Sequence, residues 1–363
     1  MSFTLLQVGI VKAQEITMDL GGPTHSGDYN TKPVKAFSKV KWKTNLGVNG
    51  SESFILKNNI IYVTGGKGNY GDSNRYGYFF SIDAINGDVI WKDSVNRFVS
   101  TPSMKDTILY FGSDDRDCKI RALNSKNGKL VWDLGLEMHS CWPPALYKDK
   151  AFFGDHAGNW YVVNSITGEE IFKTRLNTGI CNSPSVLDGI VYYCDLSGIL
   201  HAFNLQTNSD IWTYNSGSKS NNSPAIVKGV AYLINSSGTL YSIDIKNGNL
   251  LWTYKTDDDM YRAPAVSDEI ATLVTTRGHI YAFDTNTGTV LWDIHKNSGI
   301  GYTNTAIAGS VVYVGCADSY LYAFDLKTGQ ELWKYKAEYP VKTPLVNHGV
   351  VYFVSGNYLY AIE

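Results

Sequence analysis

Ala323-Phe324-Asp325-Leu326-Lys327-Thr328-Gly329-Gln330-Glu331-Leu332-Trp333 is the clearest of seven copies of one eleven-residue pattern in this chain of 363 residues. The other copies end at Trp91, Trp132, Phe172, Trp212, Trp252 and Trp292, and Trp42 stands in Val40-Lys41-Trp42-Lys43 without the first half of the pattern. From Trp42 to Trp333 the successive gaps are 49, 41, 40, 40, 40, 40 and 41 residues. A period near 40 residues with strand-like content marks a repeat architecture, and here it predicts an all-β fold, a β-propeller.

One period shows the reason. Ser183-Pro184-Ser185-Val186, Gly189-Ile190-Val191-Tyr192-Tyr193, Ile199-Leu200-His201-Ala202-Phe203 and Ser209-Asp210-Ile211-Trp212 are short β-branched or aromatic runs. They are separated by Asp188-Gly189, Ser197-Gly198 and Thr207-Asn208, which are hairpin signals. Four strands joined by three tight turns make an antiparallel meander, one blade of a propeller. The repeated pattern spans the third and fourth strands. Its Asx (Asp83, Asn124, Asn164, Asn204, Asp244, Asp284, Asp325) ends the third strand, where the side chain can bond the turn backbone. Gly follows four residues later (Gly87, Gly128, Gly168, Gly248, Gly288, Gly329) and supplies a positive φ; Asn208 takes its place once. The Trp then falls on the outermost strand, able to cover its neighbour's turn.

Blades begin near Phe54, Pro102, Pro144, Pro184, Pro224, Pro264, Thr305 and Pro344, eight in all. The last has no fourth strand, and the strand around Trp42 has no first three. Pairing the two predicts an eight-bladed ring of four-stranded blades closed by strands from both termini, which removes the sheet edges that invite aggregation. Residues 38–363 are thus expected to be one propeller, preceded by an extension at 15–37.

Residues 1–13 read MSFTLLQVGIVKA, an apolar run ending in Val-Lys-Ala before Gln14. This resembles the back half of a secretory signal, so residues 1–14 are expected to be a truncated signal segment and the protein to be exported, to the periplasm, the outer membrane or the medium. The missing positive start suggests that the true first Met lies upstream. The net charge of −2, with both signs interspersed, argues against a nucleic-acid partner. No apolar run reaches the roughly 18 residues that cross a bilayer. Five cysteines, Cys118, Cys141, Cys181, Cys194 and Cys316, form no CxxC pair. Cys141 and Cys181 hold equivalent places in adjacent repeats, which leaves a disulfide or two buried thiols open.

The pattern A-x-[DN]-x-x-[TN]-G-x-x-x-W resembles the tryptophan-docking motif of the pyrroloquinoline quinone (PQQ) repeat propellers, and its seven copies cover nearly all of residues 50–363. Gly22-Pro23-Thr24-His25-Ser26-Gly27 is similar to the short element that often precedes such propellers. The resemblance implies one of two kinds of protein. One is a quinoprotein dehydrogenase with PQQ and Ca²⁺ in the funnel. The other is a scaffold similar to the propeller lipoprotein of the outer-membrane β-barrel assembly machine. Dehydrogenases of the family carry adjacent cysteines, long inserted loops and a Glu, Asn and Asp set for Ca²⁺; none of these is evident here. The expectation is a scaffold with no cofactor and no metal.

Two places nominate themselves for binding. Stepping back two residues from each blade start gives a ring at one mouth of the channel: Glu52, Ser100, Trp142, Asn182, Asn222, Arg262, Thr303 and Lys342. One carboxylate, one indole, two amides and two cations there could hold a polar ligand or a peptide end, with Arg262 and Lys342 meeting anionic groups; a hydrated channel mouth is the plainer reading. The second place is residues 65–78, a Gly- and Tyr-rich insertion whose Tyr70, Arg75 and Tyr76 suit a partner surface. No helix pattern follows its glycines, so the anion-site logic fails. His139 and Asp257-Asp258-Asp259 lie in different blades, and Asp114, Asp115 and Asp117 lack the spacing of a calcium loop. His201 and His279 fall in third strands and are expected to pack. No Ser/His/Asp arrangement can be placed. The sequence thus favours a non-enzymatic protein- or peptide-binding scaffold of the cell envelope, over a quinoprotein oxidoreductase and over a polysaccharide-binding propeller.

Overall fold

The structure is a computed structural model that describes residues 18–67, 76–95, 100–113, 118–140, 142–180, 182–258, 262–296 and 303–363. Its strands form eight four-stranded antiparallel sheets, the blades of a propeller, and no α-helix occurs among the described residues. Blade 4 is representative, with strands Ser185–Leu187, Ile190–Cys194, Ile199–Asn204 and Ser209–Asn215. The two-residue turn at Asp188 and Gly189 pairs Leu187 with Ile190, and both turn residues have positive φ (49° and 81°). That is the backbone a tight hairpin demands and the reason for Asp-Gly at that point.

Blade 8 closes the ring as expected. Leu345–Asn347, Val350–Ser355 and Tyr358–Ile362 are joined by Val40–Asn45 from the other end of the chain, with Trp42 opposite Ala361 and Asn45 opposite Tyr358. The core lies between blades rather than in one centre. At one such seam Tyr192, Cys194, Leu200 and Ala202 of blade 4 pack with Ile226, Ala231, Leu233 and Ile243 of blade 5. Period-two alternation makes this work, because each blade must bury both faces against its neighbours.

The repeated pattern supplies the latch at the rim of each seam. The Asx side chain holds its turn: Asp325 Oδ1 accepts from Lys327 N at 3.1 Å and Thr328 N at 2.9 Å. The outer-strand indole of one blade then lies on the turn glycine of the next. At Gly288 (φ 71°) a Cβ would stand 2.6 Å from the Trp252 ring. The glycines are therefore required twice, for a left-handed backbone and for the space above it. Each indole Nε1–H also donates to a carbonyl of that turn: Trp42 to Ala84, Trp91 to Ser125, Trp132 to Ser165, Trp212 to Ile245, Trp252 to Thr285 and Trp292 to Leu326, at 2.8–3.1 Å.

Blade 8 lacks a turn between its third and fourth strands, because those strands come from opposite termini. The N-terminal extension substitutes: Trp333 Nε1 donates to Val34 O at 2.8 Å. Upstream of Val34 the extension crosses the innermost strands. Pro23, Thr24, Ser26 and Gly27 carbonyls accept from the backbone N–H groups of Val186, Ile226, Val266 and Ile307, at 2.6–2.9 Å. These four residues hold the same place in blades 4, 5, 6 and 7, opposite Val191, Ala231, Ala271 and Val312. Their N–H groups point away from the second strand into the channel, so the extension serves one blade after another as it passes. His25 is fully buried with Nε2 3.2 Å from Pro184 O, and Gly27 sits against Ala265, where a Cβ would lie 2.6 Å from its Cβ.

Candidate functional site

The channel has two ends. The upper end carries the loops that lead into each first strand and the turns between second and third strands; the lower end carries the other two sets of turns. The eight ring positions belong to the upper end, and the extension meets the lower end, where Lys32 O accepts from Gly349 N and Thr31 Oγ1 from His348 N.

Several ring residues face into their own blades. Asn182 Nδ2 donates to Cys194 O at 2.6 Å, and Cys194 N donates back to Asn182 Oδ1 at 3.3 Å. Ser100 makes the same exchange one repeat earlier but one, giving its N–H to Gly112 O and accepting Gly112 N–H at Oγ, both at 3.0 Å. Lys342 N donates to Val354 O at 2.9 Å. Cys194, Gly112 and Val354 occupy one structural position, the fifth residue of the second strand. These ring residues therefore prolong the pairing of first and second strands past its last backbone rung, which leaves no buried amide unpaired. Thr303 is buried and donates to Asn304 O at 3.2 Å, and Asn222 is buried as well. Trp142, Arg262 and Lys342 are half-buried, and Lys342 Nζ reaches across the seam to Gly50 O at 2.5 Å. The Glu52 side chain, Tyr70, Arg75 and Asp114, Asp115 and Asp117 lie outside the described residues, as do Cys141 and Cys181. Tyr76 is described and exposed, at the upper end of the third strand of blade 1 (Tyr76–Asp83).

The acidic run at blade 6 is also structural where described. Asp258 is buried, accepting from Thr276 Oγ1 at 2.9 Å and Arg277 N at 2.7 Å, so it pins the turn between the second and third strands. Among the described residues no three His, Cys, Asp or Glu side chains gather as a metal site. PQQ is a tricarboxylate quinone, and holding it with Ca²⁺ takes a convergent carboxylate and amide set beside cations. The described ring residues do not make that set, since Asn182 is engaged with Cys194 and Ser100 with Gly112.

A buried charge cluster was not legible in the sequence. His201, in a third strand as expected, lies between two carboxylates: Nδ1 is 2.9 Å from Asp210 Oδ2 and Nε2 is 3.6 Å from Asp195 Oδ2. Its ring stacks on Tyr193 (4.7 Å, 3°), which stacks on Trp160 (4.3 Å, 16°). Burial opposes the charge, but the two carboxylates outweigh it and raise the His201 pKa to about 9. Asp195 is correspondingly lowered, against its own burial, by His201 and by the N–H of Ile199. The i, i+9 spacing of His201 and Asp210 becomes readable only once their hairpin register is known. A folded pKa above the unfolded one stabilises fully below about 6.5, and the gain is lost as pH rises through about 9. The stability gap between the native chain and His201→Gln should therefore be roughly 2–3 kcal/mol at pH 6 and close to nothing at pH 10. Urea midpoints across that range measure it, and a gap independent of pH would show the cluster to be uncharged.

Cys194 is fully buried, and burial pushes its thiol far up, so it is inert packing rather than a nucleophile.

Comparison with known proteins places this ring. Three overlapping stretches, residues 33–176, 116–261 and 197–363, match the family described as outer membrane protein assembly factor BamB. No curated protein matches the sequence. Among solved structures, BamB from Moraxella catarrhalis is similar with a TM-score of 0.74 at 17% identity, over 90% of this chain and 97% of that one. A europium-containing methanol dehydrogenase is similar with a TM-score of 0.78 at 13% identity, over 95% of this chain and 91% of that one. The computationally designed Ika8 protein gives 0.76 at 18% identity, over 88% and 98%. At these identities each likeness is one of fold. The same ring serves an assembly factor, a dehydrogenase and a design, so function has to be argued from this chain's own surfaces.

Proposed function

The chain belongs to the family described as outer membrane protein assembly factor BamB, and from that premise we propose that it is a non-enzymatic scaffold that binds a protein or peptide in the cell envelope. The observation that carries this reading is the N-terminal extension, which places its own backbone along the first strands of four consecutive blades inside the channel. With that end lined by the chain itself and Ser100 and Asn182 turned into their blades, the molecule offers rims rather than an interior. The partner contact is assigned to the upper rim, at Trp142, Arg262, Lys342 and the exposed Tyr76 beside the blade 1 insertion. Export to the envelope belongs to the same reading, on the family and on the apolar run at residues 1–13.

Two measurements test it. Isothermal titration of residues 18–363 with PQQ, with and without Ca²⁺, should give no saturable heat; saturable Ca²⁺-dependent binding would replace the scaffold by a quinoprotein. A photocrosslinking residue in place of Tyr76 should give one discrete adduct in the host's envelope fraction, and the same residue at Lys246, on the lower face, none. Equal labelling at both places would remove the upper rim as the contact.

A further inference from the structure

The seam between blades 3 and 4 departs from all the others at three positions at once. The outer-strand Trp is Phe172, and the turn glycine of the next blade is Asn208. The third departure lies in the second strand. Six blades carry Tyr at its third residue (Tyr62, Tyr110, Tyr192, Tyr232, Tyr313 and Tyr352); blade 3 has Phe152 and blade 6 has Thr272. These tyrosines work alongside the indoles. Tyr110 and Trp132 both donate to Ser165 O, Tyr352 and Trp42 both to Ala84 O, and Tyr313 and Trp333 both to Val34 O.

At the blade 3–4 seam the corresponding carbonyl is Leu205 O. Phe152 and Phe172 pack in one cluster with Leu205, and neither ring has a hydrogen to donate. No residue of the chain donates to Leu205 O. A cleft of about 490 Å³ opens there, lined by Tyr147, Lys148, Asp149, Lys150, Asp188, Gly189, Ile190, Asn204, Leu205 and Gln206. A smaller one of about 270 Å³ lies at the equivalent place between blades 6 and 7, against Leu326 and the turns at Asp268 and Ser310. That is the other seam without the tyrosine. It keeps its indole, and Leu326 O keeps its donor at 2.9 Å.

We propose that the blade 3–4 cleft is a slot for the phenol side chain of a tyrosine on a partner chain. Its ring would lie against Tyr147, Ile190 and Leu205, and its hydroxyl would donate to Leu205 O. The occupant follows from the molecule's own usage, since the same carbonyl in three other seams receives a tyrosine hydroxyl. A tryptophan is disfavoured: the indole seat needs a bare glycine beneath it, with a Cβ at Gly168, Gly248 and Gly288 falling 2.6–2.8 Å from the ring, and here that place is Asn208. The volume lies within the ~300–1,000 Å³ of small-ligand sites, and an exposed mouth at Gln206 leaves the slot open to another chain. It stands on seam geometry alone and not on the scaffold reading.

The test uses N-acetyl-tyrosinamide as probe, in saturation-transfer NMR titration of residues 18–363, with N-acetyl-phenylalaninamide as the ligand lacking the hydroxyl. The tyrosine probe should bind saturably, and the phenyl analogue about three- to tenfold more weakly, the worth of one hydrogen bond. Phe152→Tyr, which restores the residue found in six other blades, should abolish the difference and weaken the tyrosine probe about tenfold. Should that variant fail to fold, Gln206→Trp fills the mouth from an exposed turn and should do the same. Equal binding of the two probes, binding unchanged by either variant, or no saturable binding at millimolar probe would each overturn the slot.

Discussion

A chain that starts at Ser38 should be less stable than the full chain by roughly 5 kcal/mol, a larger loss than any single substitution outside the blade cores is expected to give. Deleting residues 1–37 removes the acceptors for the N–H groups of Val186, Ile226, Val266 and Ile307, and those for Trp333 and Tyr313. With water readmitted to the channel, each lost bond costs about 1 kcal/mol rather than the full penalty of a dry orphan. Met18, Leu20, Tyr29 and Val34 are buried, and their loss adds apolar exposure. The ring itself should survive, because Val40–Asn45 still closes blade 8 against Tyr358–Ile362. Equilibrium urea unfolding measures the loss, and a synthetic peptide of residues 18–39 added in trans should recover part of it. A truncated chain with an unchanged midpoint would mean that the extension merely rests on the ring.

Local signals carried most of the fold into the sequence. Asp188-Gly189, the Asx-to-Gly offset and the forty-residue spacing each concern residues a few positions apart, and each fixes a turn whose geometry the backbone permits few residues to make. Ring closure was legible for the same reason: blade 8 visibly lacks one strand and Trp42 visibly lacks three. The candidate site was harder. Positions two before each blade start do lie at the upper end, but whether Asn182 faces the channel or Cys194 depends on where the first strand stops pairing. That stop is set by contacts with the next blade. The role of Gly22-Pro23-Thr24-His25-Ser26-Gly27 was out of reach for a simpler reason, since its partners lie about 160 to 280 residues away. Phe172 and Asn208 read in sequence as two separate departures. Only the ring shows that they meet at one seam, where the smaller ring tolerates the larger turn residue.

That compensation makes the second large effect predictable. Gly288→Ala should destabilise the chain by about 3 kcal/mol, combining a left-handed backbone for a non-glycine residue with a Cβ 2.6 Å from the Trp252 ring. Gly217→Ala separates the two contributions. Gly217 has nearly the same φ (75°) with nothing within 4 Å of the added Cβ, so it should lose only the backbone part, about 1 kcal/mol. Trp252→Phe alone gives up the bond to Thr285 O and part of a ring's burial, about 2 kcal/mol. Combined with Gly288→Ala, the phenyl leaves room for the methyl, as Phe172 does beside Asn208, so the double variant should be more stable than the sum of the two losses by at least about 1 kcal/mol. Urea unfolding of the four variants gives the coupling directly. Strict additivity would mean that the indole and the Cβ never compete for the same space, and that the six glycines are kept for their φ alone.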